Sequence, residues 1–210
     1  MKQLLLLALL ILICGTTANA QKKAPLLFMD IPWGSSVSDV RKIVDSVEGI
    51  KFVEQRWGGN DNGDDDTTLV VLEYSNGKYA GYTAESLHFM FYNNRMLLVR
   101  VGYNLSGAEA IERWEKVVEL LRAKFGKPKH DGNAFLSKMR KLIDDQELWD
   151  EHLSSELYLL STWERIQNKH DTRISCQTGD KVNGVTIRFS DMTISKEHTQ
   201  AEKKRKVKGM

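Results

Sequence analysis

The chain has 210 residues, 30 Lys+Arg against 28 Asp+Glu, and 41% hydrophobic residues. That suffices for one domain with its own core, or at most two small ones. Five of the basic residues crowd between Lys203 and Lys208 and one is Lys2, so residues 21–202 carry 24 against 28 acidic, a formal −4; this argues against a nucleic-acid-binding surface on the folded part.

In chain order, Lys2 precedes an apolar run from Leu4 to Ile13, followed by Ala18-Asn19-Ala20 and the polar Gln21-Lys22-Lys23. A basic start, a short apolar stretch and an A-x-A site predict a secretory signal peptide over residues 1–20. The run is shorter than the roughly 20 residues that a membrane span needs. A lipoprotein signal with Cys14 as the lipidated residue is the competing reading, weakened by the bulky Ile13 before it. No second apolar run of that length follows, so no transmembrane segment is expected. Cleavage leaves Cys176 as the one cysteine, expected to be a buried apolar residue in a strand.

Residues 21–26 read as a linker and residues 27–192 as a single α+β domain. Leu26-Leu27-Phe28-Met29 is predicted as a first strand, and Asp30-Ile31-Pro32-Trp33-Gly34-Ser35-Ser36 as a turn. Ser36 then caps a helix over 37–47, on which Val37, Val40, Val44 and Val47 form an apolar stripe. Strands are expected over 50–57 and 67–74, with a short return over 78–83. Between the first two lies the acidic loop 60–66.

The clearest pattern is Leu87–Pro128. Leu87–Tyr92 and Arg95–Tyr103 read as strands joined by a two-residue Asn93-Asn94 turn. That register pairs Phe91 with Met96, Phe89 with Leu98 and Leu87 with Arg100. Both faces of the hairpin then carry large apolar residues, so its second face needs a cover. Ser106 and Glu109 predict a capping box, Ile111, Trp114, Val118, Leu121 and Phe125 a buried helix face, and Gly126 and Pro128 its stop. Phe135, Met139, Leu142, Trp149 and Leu153 predict a further helix over 134–153, the candidate cover. Strands follow over 157–166, 172–177 and 185–189, the last with Val185, Ile187 and Phe189 inward. Residues 193–210 show no periodicity and read as a disordered basic tail.

The chain offers little chemistry. It contains no G-x-S-x-G, H-E-x-x-H, phosphate-loop or G-x-G-x-x-G pattern. His88, His130, His152, His170 and His198 are scattered. Glu147, Glu151 and His152 share a helix region but read as a solvated face. Asn60, Asn62 and Asp64 alternate as calcium ligands would, yet Asp65 stands where a turn glycine belongs and Val71 where a bidentate glutamate belongs. No catalytic, cofactor-binding or metal residue is therefore nominated.

Phe28-x-x-Ile31-Pro32-Trp33-Gly34-Ser35-Ser36, the paired strands, the helix ending Lys124-Phe125-Gly126-Lys127-Pro128 and the Trp163 strand together resemble small exported bacterial proteins of unassigned function. The likeness spans most of residues 27–190. A more distant one is to the small outer-membrane assembly lipoproteins, whose helices pack on a short antiparallel sheet. These resemblances imply an exported, periplasmic or extracellular protein and supply no catalytic residue. The expected function is a non-enzymatic binding or interaction module, meeting a protein partner through the sheet face. The alternatives are an envelope enzyme with an unrecognised site and a weak calcium-binding structural module.

Overall fold

The computed structural model describes residues 28–59, 65–145, 158–167, 170–179 and 182–208. They form an α+β structure dominated by one antiparallel sheet. The elements are α1 (Val37–Val44), β1 (Lys51–Gly59), β2 (Asp65–Ser75), β3 (Gly77–Tyr79), β4 (Tyr82–Ala84), β5 (Ser86–Tyr92), β6 (Arg95–Ser106), α2 (Gly107–Phe125), α3 (Asn133–Asp144), β7 (Leu160–Gln167), β8 (His170–Thr178), β9 (Asn183–Asp191) and α4 (Met192–Lys208). Seven strands make the sheet in the order β1-β2-β5-β6-β9-β8-β7, antiparallel at every pairing. Two meanders, β1-β2-β5-β6 and β7-β8-β9, thus meet along a β6–β9 seam.

One face of this sheet is the core. Leu72, Tyr74, Leu87, Phe89, Phe91, Met96, Val99, Val101, Ile174, Cys176, Val185, Ile187 and Phe189 are buried there against α1 to α3. The alternation of strand side chains puts these residues on one side. Trp114 of α2 is fully buried, and its indole N–H donates to the Cys176 carbonyl at 3.1 Å. Trp163 of β7 donates to the Gly126 carbonyl at 2.8 Å. Each buried indole thereby satisfies its one donor.

The opening turn latches α1 onto the hairpin tip. Gly34 has φ +79°, its N–H donates to the Met96 carbonyl, and the Met96 N–H returns to the Ser35 carbonyl at 2.9 Å. Ser36 accepts from the Asp39 N–H, as a helix cap should, while Asn94 Oδ1 accepts from the Val37 N–H. Trp33 reaches across to Thr172 Oγ1 at 2.9 Å. The Ile-Pro-Trp-Gly-Ser-Ser run is therefore committed to structure at nearly every residue.

Several expectations need correction. Phe28 and Met29 lie in a bend and turn instead of a strand, and Met29 and Asp30 adopt positive φ; Leu26 and Leu27 fall outside the described residues. The return over 78–83 is itself a small hairpin, β3–β4. Ser106 precedes α2 but makes no side-chain cap bond. In the central hairpin Tyr92 faces Arg95 and Phe91 faces Met96 as expected, then a bulge shifts the register so that Met90 faces Leu98, Phe89 faces Val99 and His88 faces Arg100. The bulge has a reason. Unbroken alternation from Met96 would send Leu98 and Arg100 into the core and Val99 out of it. One extra residue places Leu97 and Leu98 on the outer side, returns Val99 to the core and keeps Arg100 out.

The cover of the second face is also different. α3 packs against α2 on the core side, burying Met139 and Leu142 and leaving Phe135 exposed. The rest of the predicted 134–153 helix, including Trp149 and Leu153, runs beyond the described residues after 145. The tail does the covering: Met192–Lys208 is a helix, and residues 193–208 are not a disordered tail. Asp191, fully buried, begins it by accepting from the N–H groups of Thr193 and Ile194 and by pairing with His170. α4 then crosses the outer face at the hairpin-tip end. Ile194 and Ala201 pack with Leu69, Met90, Tyr92, Leu97 and Leu98, the His198 ring meets Tyr92, Glu197 pairs with Arg95, and Arg205 reaches Thr68.

Candidate binding site on the outer face of the sheet

Beyond α4 the outer face changes character. Cross-strand pairing there aligns one residue from each of the seven strands in a single row: Glu54, Glu73, His88, Arg100, Arg188, Ser175 and Thr162. Every one is polar, and every neighbouring pair is directly opposed. The row exists because each strand alternates against an apolar core residue: Leu72 and Tyr74 flank Glu73, Leu87 and Phe89 flank His88, Val99 and Val101 flank Arg100, Ile187 and Phe189 flank Arg188. A second row beside it holds Arg56, Val71, Met90, Leu98, Ser190, Arg173 and Glu164. The apolar contacts of α4 fall on Leu69, Met90, Tyr92, Leu97 and Leu98, outside the polar row.

His88 is the buried member, with 9% of its surface exposed. Its Nδ1 lies 2.8 Å from the Arg100 guanidinium, which can only donate. Nδ1 is therefore the acceptor, and the neutral ring carries its proton on Nε2. Nε2 sits 3.5 Å from Glu73 Oε2, long for a hydrogen bond, and is otherwise unpartnered among the described residues. Burial, then the neighbouring Arg100 charge, hold the His88 pKa below the usual histidine value. Burial, then the Arg188 charge, likewise lower that of Arg100.

Charge is compensated unevenly along the row. Glu54 and Glu73 are opposed carboxylates, and Arg56 bridges them, at 2.8 Å to Glu54 and 2.6 Å to Glu73. Arg173 is paired with Glu164 at 2.6 Å. Arg100 and Arg188, opposed across the β6–β9 seam, have no such bridge among the described residues. Arg100 is tied to a neutral imidazole, and Arg188 is exposed with no counter-ion among the described residues. Like charges directly opposite on neighbouring strands destabilise a sheet.

Elsewhere the chemistry is thin. A shallow groove of about 220 Å³ between α2 and α3 is lined by Ala108, Ile111, Glu112, Arg140, Ile143 and Asp144. Arg140 there is paired with Glu115. The His170–Asp191 pair resembles a catalytic dyad, but Asp191 is occupied in starting α4. The Cys176 thiol is fully buried, and burial pushes its pKa up, so it is no nucleophile. Among the described residues, no group of three or more His, Cys, Asp or Glu is placed to hold a metal ion, and no helix is long and apolar enough to cross a membrane. The calcium-like residues Asn60, Asn62 and Asp64, and the Glu147, Glu151 and His152 group, lie outside the described residues.

None of the residues in the polar row except His88 stood out in the linear sequence, and His88 did so only as an isolated histidine. The row joins positions from 54 to 188, so only strand order reveals it. Comparison with family models, with curated proteins and with solved structures returned no match.

Proposed function

We propose that this chain is an exported binding protein of a bacterial envelope, and that it meets its partner through the polar row on the outer sheet face. The observation that carries this reading is the uneven coverage of that face. α4 packs its apolar residues on one end, around Leu97 and Leu98, whereas in the seven-strand polar row Glu54 and Arg188 are exposed. The leader-like residues 1–20 and the resemblance of the Ile31–Ser36 run to small exported proteins support export. A protein partner suits an extended seven-strand surface better than the small groove does.

The test is a methyl NMR titration of the protein with solubilised envelope fractions. Met90, Val71 and Leu98 report on the outer face, Val117 and Leu121 on the helical side. Shifts confined to the first group are expected; shifts confined to the second would overturn the surface assignment. Mass spectrometry of the secreted chain should find Gln21 as its first residue. Retention of residues 1–20, or a lipid on Cys14, would overturn the cleaved leader.

A second reading, an envelope enzyme, draws on the α2–α3 groove, where Glu112 and Asp144 both line one cavity. It requires the Glu112→Gln and Asp144→Asn variants to lose whatever activity the protein displays. Unchanged activity in both would remove it.

A further inference from the structure

The outer face contains two opposed like-charge pairs with different fates. The acidic pair, Glu54 and Glu73, is built together with its counter-ion, since Arg56 reaches both carboxylates. The basic pair, Arg100 and Arg188, is not. Arg100 donates to His88 Nδ1, a neutral acceptor, and Arg188 stands exposed without an ion partner among the described residues. Arg173 nearby is neutralised by Glu164. Among the described residues neither guanidinium is ion-paired, and only the charge of Glu73, across His88, acts in favour of Arg100.

Their setting is also organised. Arg100 is partly buried and its guanidinium is fixed from the side by a buried imidazole. Arg188 lies directly opposite it, and Ser175 lies directly opposite Arg188 on the far strand. Ser190, two residues along β9 from Arg188, shares its face. Residues opposed in an antiparallel pair have Cβ atoms about 5 Å apart. Two planar guanidinium forks at that spacing can grip one oxyanion from two sides, with hydroxyl donors within reach. Two guanidinium charges without an ion pair among the described residues match a group that carries close to two negative ones, as a phosphate monoester does near neutral pH.

We propose that Arg100 and Arg188, flanked by Ser175 and Ser190, form a clamp for a phosphate-type dianion presented by the partner of the outer face. This rests on the outer face being the binding surface and names the chemistry it selects. The clamp straddles the β6–β9 seam, so the ligand would bridge the two meanders. His88 acts as a positioning residue: it holds Arg100 in place and does not itself face the anion.

The experiment uses the full mature chain and inorganic phosphate as probe. Arginine side-chain Nε–Hε resonances are followed during titration at constant ionic strength, held with chloride. Saturable shifts of Arg100 and Arg188, with Arg56 unmoved, are expected. Sulfate, of similar shape and charge, should compete with phosphate. Arg188→Gln should weaken phosphate binding by about tenfold or more while the fold, judged from the Val117 and Leu121 methyls, is unchanged. Arg56→Gln should leave the affinity as it was. Absence of saturable shifts, retention of affinity in Arg188→Gln, or equal binding of acetate would each overturn the dianion clamp. Should phosphate fail while envelope fractions still move the outer-face methyls, the binding face stands and only the clamp falls.

Discussion

The two faces of the seven-stranded sheet are written at alternating positions of the same strands, yet they are built by different rules. The inner face is redundant. Phe89, Phe189, Ile187, Cys176 and Trp114 belong to one contiguous buried apolar cluster. The outer face is divided: an apolar end closed by α4, and a polar row in which Arg56 joins Glu54 to Glu73 and Arg100 donates to His88 while Arg188 stands exposed. Burial of apolar area fixes the first face and tells little about purpose. On the second face every side chain has alternatives, so the arrangement adopted there carries the information about binding.

The comparison can be broken most severely from the inside. Trp114→Ala removes a fully buried indole and its bond to the Cys176 carbonyl, and should destabilise the protein by about 3–5 kcal/mol in chemical denaturation. A loss below about 1 kcal/mol would mean that the inner face is not the core. A smaller effect is expected at the seam between α4 and the sheet. Ile194→Ala should cost about 2 kcal/mol, the low end for such truncations, because α4 buries few other apolar residues. It should also raise amide exchange selectively in residues 192–208. A global loss as large as that of Trp114→Ala would show that the two faces are not independent.

The mildest probe concerns the polar row. His88 is held neutral in the folded state, with its pKa below the unfolded value near 6.5. As pH falls below about 6.5, the unfolded chain accepts a proton that the folded chain refuses, so stability declines. The decline ends once pH passes below the lowered folded value. His88→Gln should therefore flatten the stability profile between neutral and mildly acid pH. An unchanged slope would mean that His88 titrates freely and does not serve Arg100 as a neutral acceptor.

Much of the inner face was legible in the sequence. The α2 stripe, the inward Val185, Ile187 and Phe189 and the cap at Ser36 follow from local periodicity and capping chemistry. The α+β class follows from them. What escaped was governed by distant neighbours. The bulge at Leu97 answers to the need to keep Arg100 out of the core, which a turn-based register ignores. α4 has almost no apolar stripe, only Ile194 and Ala201 reaching the sheet, so its composition reads as solvated tail. Its start depends on Asp191, a carboxylate that looks ordinary until His170 and two backbone N–H groups converge on it. The polar row was illegible for a plainer reason: its two halves meet only when β6 pairs with β9, setting Arg100 opposite Arg188.

That pairing has a consequence for how the protein comes into being. The strand that completes the sheet, β9, is the last one among the described residues, and it lies inside the sheet at the seam beside β6 instead of at an edge. Until residue 191 has emerged, β6 exposes an unpaired apolar border and the second meander has nothing to join. A nascent chain therefore cannot close its core piecemeal from the N-terminus. The two halves of the sheet become one only once nearly all of the chain is available.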